Sequence, residues 1–235
     1  MDRRGQNFFG AALKFFHPVT FELGSAHHEV FVGLALELFV ELFFSFCLSQ
    51  SRDFGELIAT LCDRLAGQGC ELVVVSSDKD LMQLVTNGTK LLDSAKDRWI
   101  GKDEVREKFG VSPEQVIEVM GLMGDAVDNI PGVKGIGEKT AGALIQQFGT
   151  LENLYDHLDE VKTMKLRGAA RVRDLLEEKR DIAFLSRALA TVKRDVPLDT
   201  GLPELQFTGF NLEKTRTLFT ELEFTNLIKL IENGG

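Results

Sequence analysis

Cysteine is scarce and unpaired: Cys47, Cys62 and Cys70 are the three in the chain, and none stands in a CxxC spacing. That argues against both a disulfide framework and a zinc finger, and a reducing, cytoplasmic setting is expected. A surplus of positive charge is also missing. The formal net charge is −9, which excludes a protein coated in positive potential. Contact with nucleic acid would therefore have to come from local basic patches beside acidic clusters. A secretory leader is not expected either, because the apolar stretch after Arg3 and Arg4 starts too late and lacks a small-residue cleavage site. What the chain does have is apolar content: 44% hydrophobic residues suffice for one large core or two small ones.

Composition breaks near residue 50. The first fifty residues hold ten of the 18 phenylalanines and three of the four histidines, but no isoleucine and one aspartate, Asp2, so residues 1–52 form an atypical segment. From Val30 to Leu48 the chain is apolar apart from Glu37, Glu41 and Ser45, about long enough to cross a bilayer. Two mid-span glutamates oppose insertion. A buried helix is the preferred reading and a segment of different frame or origin the next, so no membrane partner is expected.

From Asp53 the pattern becomes regular. Leu57, Ile58, Leu61 and Leu65 form a helical stripe closed by Gly67 and Gly69. Glu71 to Ser76 is a short run rich in valine, as expected of a parallel strand covered on both faces. A helix is expected from Leu81 to Val85, a strand from Thr89 to Leu92, and a charged helix from Gly101 to Phe109. Ser112 and Pro113 cap a further helix from Glu114 to Met123. A sheet-containing part, residues 53–110, thus gives way to a helical part, residues 111–235.

Two aspartate pairs carry candidate chemistry. Asp78 and Asp80 follow the Leu72 to Ser76 run, at the strand end where open α/β sheets hold ligands; a simple surface turn fits the same residues. Asp125 and Asp128 are spaced to put both carboxylates on one side of a helical turn, where they repel unless a cation lies between them; a solvated helix start is the plainer alternative. Together they offer four hard oxygen donors without nearby histidine or thiolate, a set suited to magnesium or manganese. Two such ions would serve phosphodiester hydrolysis. A phosphatase of haloacid dehalogenase type, with Asp78 as nucleophile, uses the same residues.

Ile130 to Ala141 reads as a glycine-rich hairpin between helices. Gly132, Gly135 and Gly137 allow close backbone approach to a phosphate, Lys134 and Lys139 add charge, and Thr140 lies in the first turn of the second helix. From Val161 to Arg194 there are ten basic residues against four acidic ones, which suits either a duplex-binding face or a solvated helix surface.

The stretches Ser76 to Leu84, Gly121 to Val133 and Gly135 to Ala141 closely resemble the 5′ nuclease domain of bacterial DNA polymerase I, and Leu222 to Ile228 is similar to that domain's last helix. The resemblance implies a parallel-sheet, resolvase/PIN-like nuclease core followed by a helical helix-hairpin-helix region. It implies a magnesium-dependent 5′-3′ exonuclease or flap endonuclease of DNA replication and repair, acting on DNA with a 5′ flap or 5′ end. Asp78, Asp80, Asp125 and Asp128 would be catalytic metal ligands, the hairpin would grip duplex DNA and hold a potassium ion, and a polymerase domain would belong to the intact protein. Asp53 and Glu56 retain acids at two further ligand places, while Gly55 replaces an expected one. The family's first metal-binding strand and basic arch find no counterpart before residue 50, so a catalytically impaired DNA-binding module is the second expectation.

Overall fold

A computed structural model describes residues 54–66, 68, 71–93, 95–198, 212–226 and 228–229. The atypical N-terminal segment, Asp53, Gly67 and Gly69 lie outside the described residues. The expected first helix is present as α1, Phe54–Leu65, with Leu57, Leu61 and Leu65 buried on its stripe. The valine run forms β1, Leu72–Val75, which pairs in parallel with β2, Thr89–Asp93. Burial alternates along β1, so Leu72 and Val74 enter the core while Val73 and Val75 are only partly covered.

A third strand, β3, Arg98–Ile100, pairs antiparallel with β2 and gives the sheet order β1-β2-β3. Its three residues include an arginine and a half-exposed tryptophan, too short and polar a run to read as a strand from periodicity. Residues 81–85 do not form the α-helix expected. Asp80–Leu84 is a 3-10 turn, and Gln83 explains its arrest: its side-chain amide donates to the Asp80 carbonyl at 2.8 Å and to the Ala190 carbonyl at 2.9 Å. Those bonds tie the turn to a distant helix end rather than letting it propagate.

Helices follow the sheet: α2, Lys102–Phe109, α3, Val116–Met123, preceded by a 3-10 turn at Pro113–Gln115, and α4, Glu138–Phe148. Then come α5, Leu151–Asp156, α6, Ala169–Glu178, α7, Arg180–Ala190, and α8, Leu212–Glu221. The core is continuous across residue 110, running from Ala59 and Val74 through Phe109 and Met120 to Leu176 and Ala190. Helices α2 and α4 meet so closely that a Cβ on Gly142 would stand 2.4 Å from the Phe109 carbonyl oxygen. No described helix is long and apolar enough to cross a membrane; the Val30 to Leu48 stretch is outside the described residues.

Candidate functional site

The parallel pairing of β1 with β2 puts their C-terminal ends on one edge of the sheet, and the first acidic residues collect there. Asp93, the last residue of β2, is 4% exposed and accepts from Ser77 Oγ at 2.6 Å and from the Lys96 ammonium at 2.8 Å. Burial raises its pKa, but the hydrogen bonds from Lys96 and Ser77 outweigh that and leave it below the ordinary value. Asp93 thereby pins the loop that carries Asp78 and Asp80. Its signal in the sequence, an acid closing an apolar strand, was legible only once the neighbouring strand was known.

The second acidic pair arrives by a different geometry from the helical turn expected. Helix α3 stops at Gly124, whose φ of +69° takes it out of helical space. Asp125 and Ile130 then exchange backbone hydrogen bonds of 2.8 Å each way, closing a turn in which Val127 N–H donates to Asp125 Oδ1 at 2.9 Å. The turn is locked because Gly132, at φ +57°, comes back against Gly124; a Cβ on Gly132 would lie 2.4 Å from Gly124 N. Asp125 thus sits just past the negative end of a helix dipole, a place that favours cations.

These two loops bring Asp80, Asp125 and Asp128 together, one carboxylate oxygen of each lying within 4.8 Å of the others. Asp78 and Glu56 stand outside that group. Asp78 Oδ1 accepts the Asp80 amide at 2.9 Å, an Asx turn, while its charge still raises the pKa of Asp80 and Asp128. Glu56 faces Lys193 at 3.7 Å. Burial, followed by the charges of Asp78, Asp128 and Asp125, pushes Asp80 up to about 7. Its Oδ1 is buried with no hydrogen-bond partner. Burial together with the neighbouring Asp125 also raises Asp128. Asp125 itself is buried, but the Lys79 ammonium, 2.5 Å from its Oδ2, and the Val127 amide hold it below the usual carboxylate range. Lys79 lies within the Ser76 to Leu84 motif, but sequence spacing does not show that it reaches across to Asp125.

An orphaned, protonation-prone carboxylate beside two others is what an oxygen-ligated divalent cation relieves, so the donor set fits such an ion.

The hairpin residues divide by exposure. Lys134, Gly135, Gly137 and Lys139 are exposed and Thr140 partly so, with Gly135 at φ +102° and Gly137 preceding α4 without any side-chain cap. Gly132 differs from the expectation of a phosphate contact. It is buried, and its amide donates to Ser186 Oγ on α7 at 2.9 Å, so its role is close packing against Gly124. The basic segment is also less available than its composition suggests. Lys162, Arg173, Lys179, Arg187, Lys193 and Arg194 are engaged in ion pairs, and Arg180 lies 5.4 Å from the Tyr155 ring centre. Lys165, Arg167 and Arg171 are exposed with no ion pair among the described residues.

Comparison with known proteins agrees with this architecture. Residues 55–110 match the profile of the 5′-3′ exonuclease, N-terminal resolvase-like domain, and residues 111–213 that of the 5′-3′ exonuclease, C-terminal SAM fold. DNA polymerase I of Bacillus caldotenax is 40% identical over 188 residues, covering 78% of this chain and 21% of the polymerase. The 5′-3′ exonuclease of Buchnera aphidicola is 35% identical over 164 residues, 70% of this chain and 57% of that protein. The flap endonuclease Xni of Photorhabdus laumondii is 36% identical over 160 residues, 68% of this chain and 61% of that protein. The chain therefore spans about a fifth of the polymerase and about three fifths of the shorter relatives. Among solved structures, the T5 D15 protein co-crystallised with metal ions superposes with a TM-score of 0.53 at 22% identity, over 66% of this chain and 58% of that one. That likeness speaks to the fold. With residues 55–213 matched in order by the two adjoining profiles, this chain belongs to the 5′-3′ exonuclease family.

Proposed function

We propose that the protein is a structure-selective 5′-3′ exonuclease and flap endonuclease of bacterial DNA replication and repair, dependent on magnesium or manganese and working in the cytoplasm. The observation that carries this is the convergence of Asp80, Asp125 and Asp128 from two separate loops, with Asp80 Oδ1 buried and unpartnered. Asp80, Asp125 and Asp128 would hold the first ion, and Asp78, with Asp53 or Glu56, would contribute to a second. Bound there, the ions would lower the pKa of an attacking water and stabilise the leaving oxygen of a phosphodiester.

The chain's own residues do the rest. Asp93 and Ser77 fix the loop bearing Asp78 and Asp80, and the Gly124–Gly132 contact fixes the loop bearing Asp125 and Asp128. The exposed hairpin offers Lys134, Lys139, Thr140 and the amides around Gly135 and Gly137 to the phosphates of a duplex, without reading its bases. A potassium ion at the hairpin rests on the family resemblance alone, and no step depends on it. The nuclease core would comprise residues 53–110 and the DNA-gripping region residues 111–235. In the relatives named DNA polymerase I the matched part is a minor share of the chain, which supports a polymerase domain in the intact protein.

The test is cleavage of a labelled 5′-flap duplex. Magnesium should support cleavage and chelator abolish it, and Asp125→Asn should lower the rate by more than the ~10–100-fold typical of residues that only orient metal ligands. Gly55, buried in α1 where the family carries an acid, favours a second reading as an impaired DNA-binding module. Tight flap binding without turnover selects that reading; neither binding nor turnover overturns both. Family membership removes the phosphatase alternative.

A further inference from the structure

Lys108 lies on α2 outside both the acidic group and the hairpin, and its surroundings are unlike those of an ordinary surface lysine. No carboxylate pairs with it among the described residues. Its Nζ instead rests 3.8 Å from the thioether sulfur of Met82 and 5.0 Å from the ring centre of Phe109. The residue is exposed by area, so a ligand can reach it, yet the ammonium is crowded by apolar atoms. Burial lowers its pKa; Glu138 opposes that, but three like charges, Lys79, Lys96 and Arg98, add to it. The ammonium thus has a ring face and a thioether for neighbours, with no ion-paired carboxylate among the described residues. An anion is what the place lacks.

Its position says which anion. Met82 belongs to the 3-10 turn that begins at Asp80, and the end of α2 abuts α4 through the Phe109 carbonyl and Gly142. Lys108 therefore stands between the acidic group and the helix that the hairpin opens, within electrostatic reach of Lys79 on one side and Glu138 on the other. We propose that Lys108 binds a backbone phosphate of the nucleic-acid substrate on the path between the acidic group and the hairpin. This rests on the nuclease reading and adds to it a contact that neither motif contains. A phosphodiester supplies the missing negative charge and acceptor oxygens for the ammonium donors.

The experiment is fluorescence anisotropy of a fluorescein-labelled 5′-flap duplex, in chelator, across a salt series, with the full chain. Lys108→Met keeps the apolar stem against Phe109 and Met82 but removes the charge. Loss of one phosphate contact should reduce the slope of log affinity against log salt by about 0.9, equivalent to roughly eightfold weaker binding at 0.1 M salt. Lys108→Arg should stay near wild type. Lys90→Met, an exposed lysine on β2, should leave the slope unchanged. The melting temperature of Lys108→Met should stay near wild type, since no ion pair is lost and the apolar stem is kept. An unchanged slope, an equal loss in Lys90→Met, or a lowered melting temperature with wild-type slope would each overturn the proposal. If the wild type itself fails to bind the flap, the nuclease reading falls first and this contact with it.

Discussion

Asp80 is the residue whose protonation matters most. In the folded protein its pKa is about 7, against an ordinary 3.8, because burial and three neighbouring carboxylates disfavour the charge. Between those values the folded state keeps a proton that the unfolded chain has released. Stability of the metal-free protein therefore falls as pH rises from about 4 to about 7 and levels off above. Asp93 and Asp125 act oppositely: held below their ordinary values, they lose their stabilisation as pH drops below about 4. In chelator the wild type should melt at a lower temperature at about pH 8 than at about pH 5, and Asp80→Asn should shrink that difference. Magnesium should raise the melting temperature more at the higher pH, since the cation must displace the Asp80 proton. A melting temperature independent of pH in both proteins would contradict this.

Gly132→Ala tests the lock beneath the acidic turn. A left-handed φ and a Cβ 2.4 Å from Gly124 N combine strain with overlap, together about 2–4 kcal/mol. A urea melt should show a lower midpoint with the slope unchanged.

Among the elements, α7 is the brace. Arg187 donates to Glu118 on α3 at 3.1 Å and to Glu152 on α5 at 2.6 Å, while the adjacent Ser186 accepts the Gly132 amide. Glu118 Oε2 also accepts the Leu151 amide at 2.9 Å, so one buried carboxylate joins three helices. Arg187→Met strands Glu118, 7% exposed, and should cost about 2–4 kcal/mol, somewhat below a fully buried pair because the Arg187 side chain is 23% exposed. Comparison of urea midpoints with the double variant Arg187→Met, Glu118→Met should show part of that loss recovered.

Elements with strong periodicity were legible: α1 from its leucine stripe, β1 from its valines, α4 from the run after the hairpin. The 3-10 turn at Asp80–Leu84 was not, because Gln83 anchors it to a carbonyl more than a hundred positions away. The turn holding Asp125 and Asp128 looked helical because a spacing of three suits a helix, whereas the Gly124–Gly132 contact fixes another conformation. Three of the four aspartates singled out in the sequence converge in the fold, whereas the Lys79 pairing and the Asp93 support, both made across strands or loops, were concealed.

At the scale of the whole molecule, the change from sheet to helices near residue 110 does not divide the core, which runs from Ala59 to Ala190. Unfolding should therefore be a single event. Trp99, the one tryptophan, reports on the sheet, and far-ultraviolet circular dichroism mainly on the helices beyond it. Their denaturation midpoints should coincide, and separated midpoints would show two independently melting units.

With a net charge of −9, any contact with nucleic acid must rest on local groups such as the exposed lysines of the hairpin and Lys108, so binding should weaken steeply with added salt.

The bridge between Asp125 and Ile130, backed by Gly124 against Gly132, joins the acidic turn and the start of the hairpin in one closely packed piece of main chain. On the proposed nuclease reading, a strand anchored at one end of that piece would present its bond to the other at a set reach. If the proposed nuclease activity holds, fragment lengths released from a uniform flap should cluster at one value, and loosening the Gly124–Gly132 seat should broaden them before it slows their release.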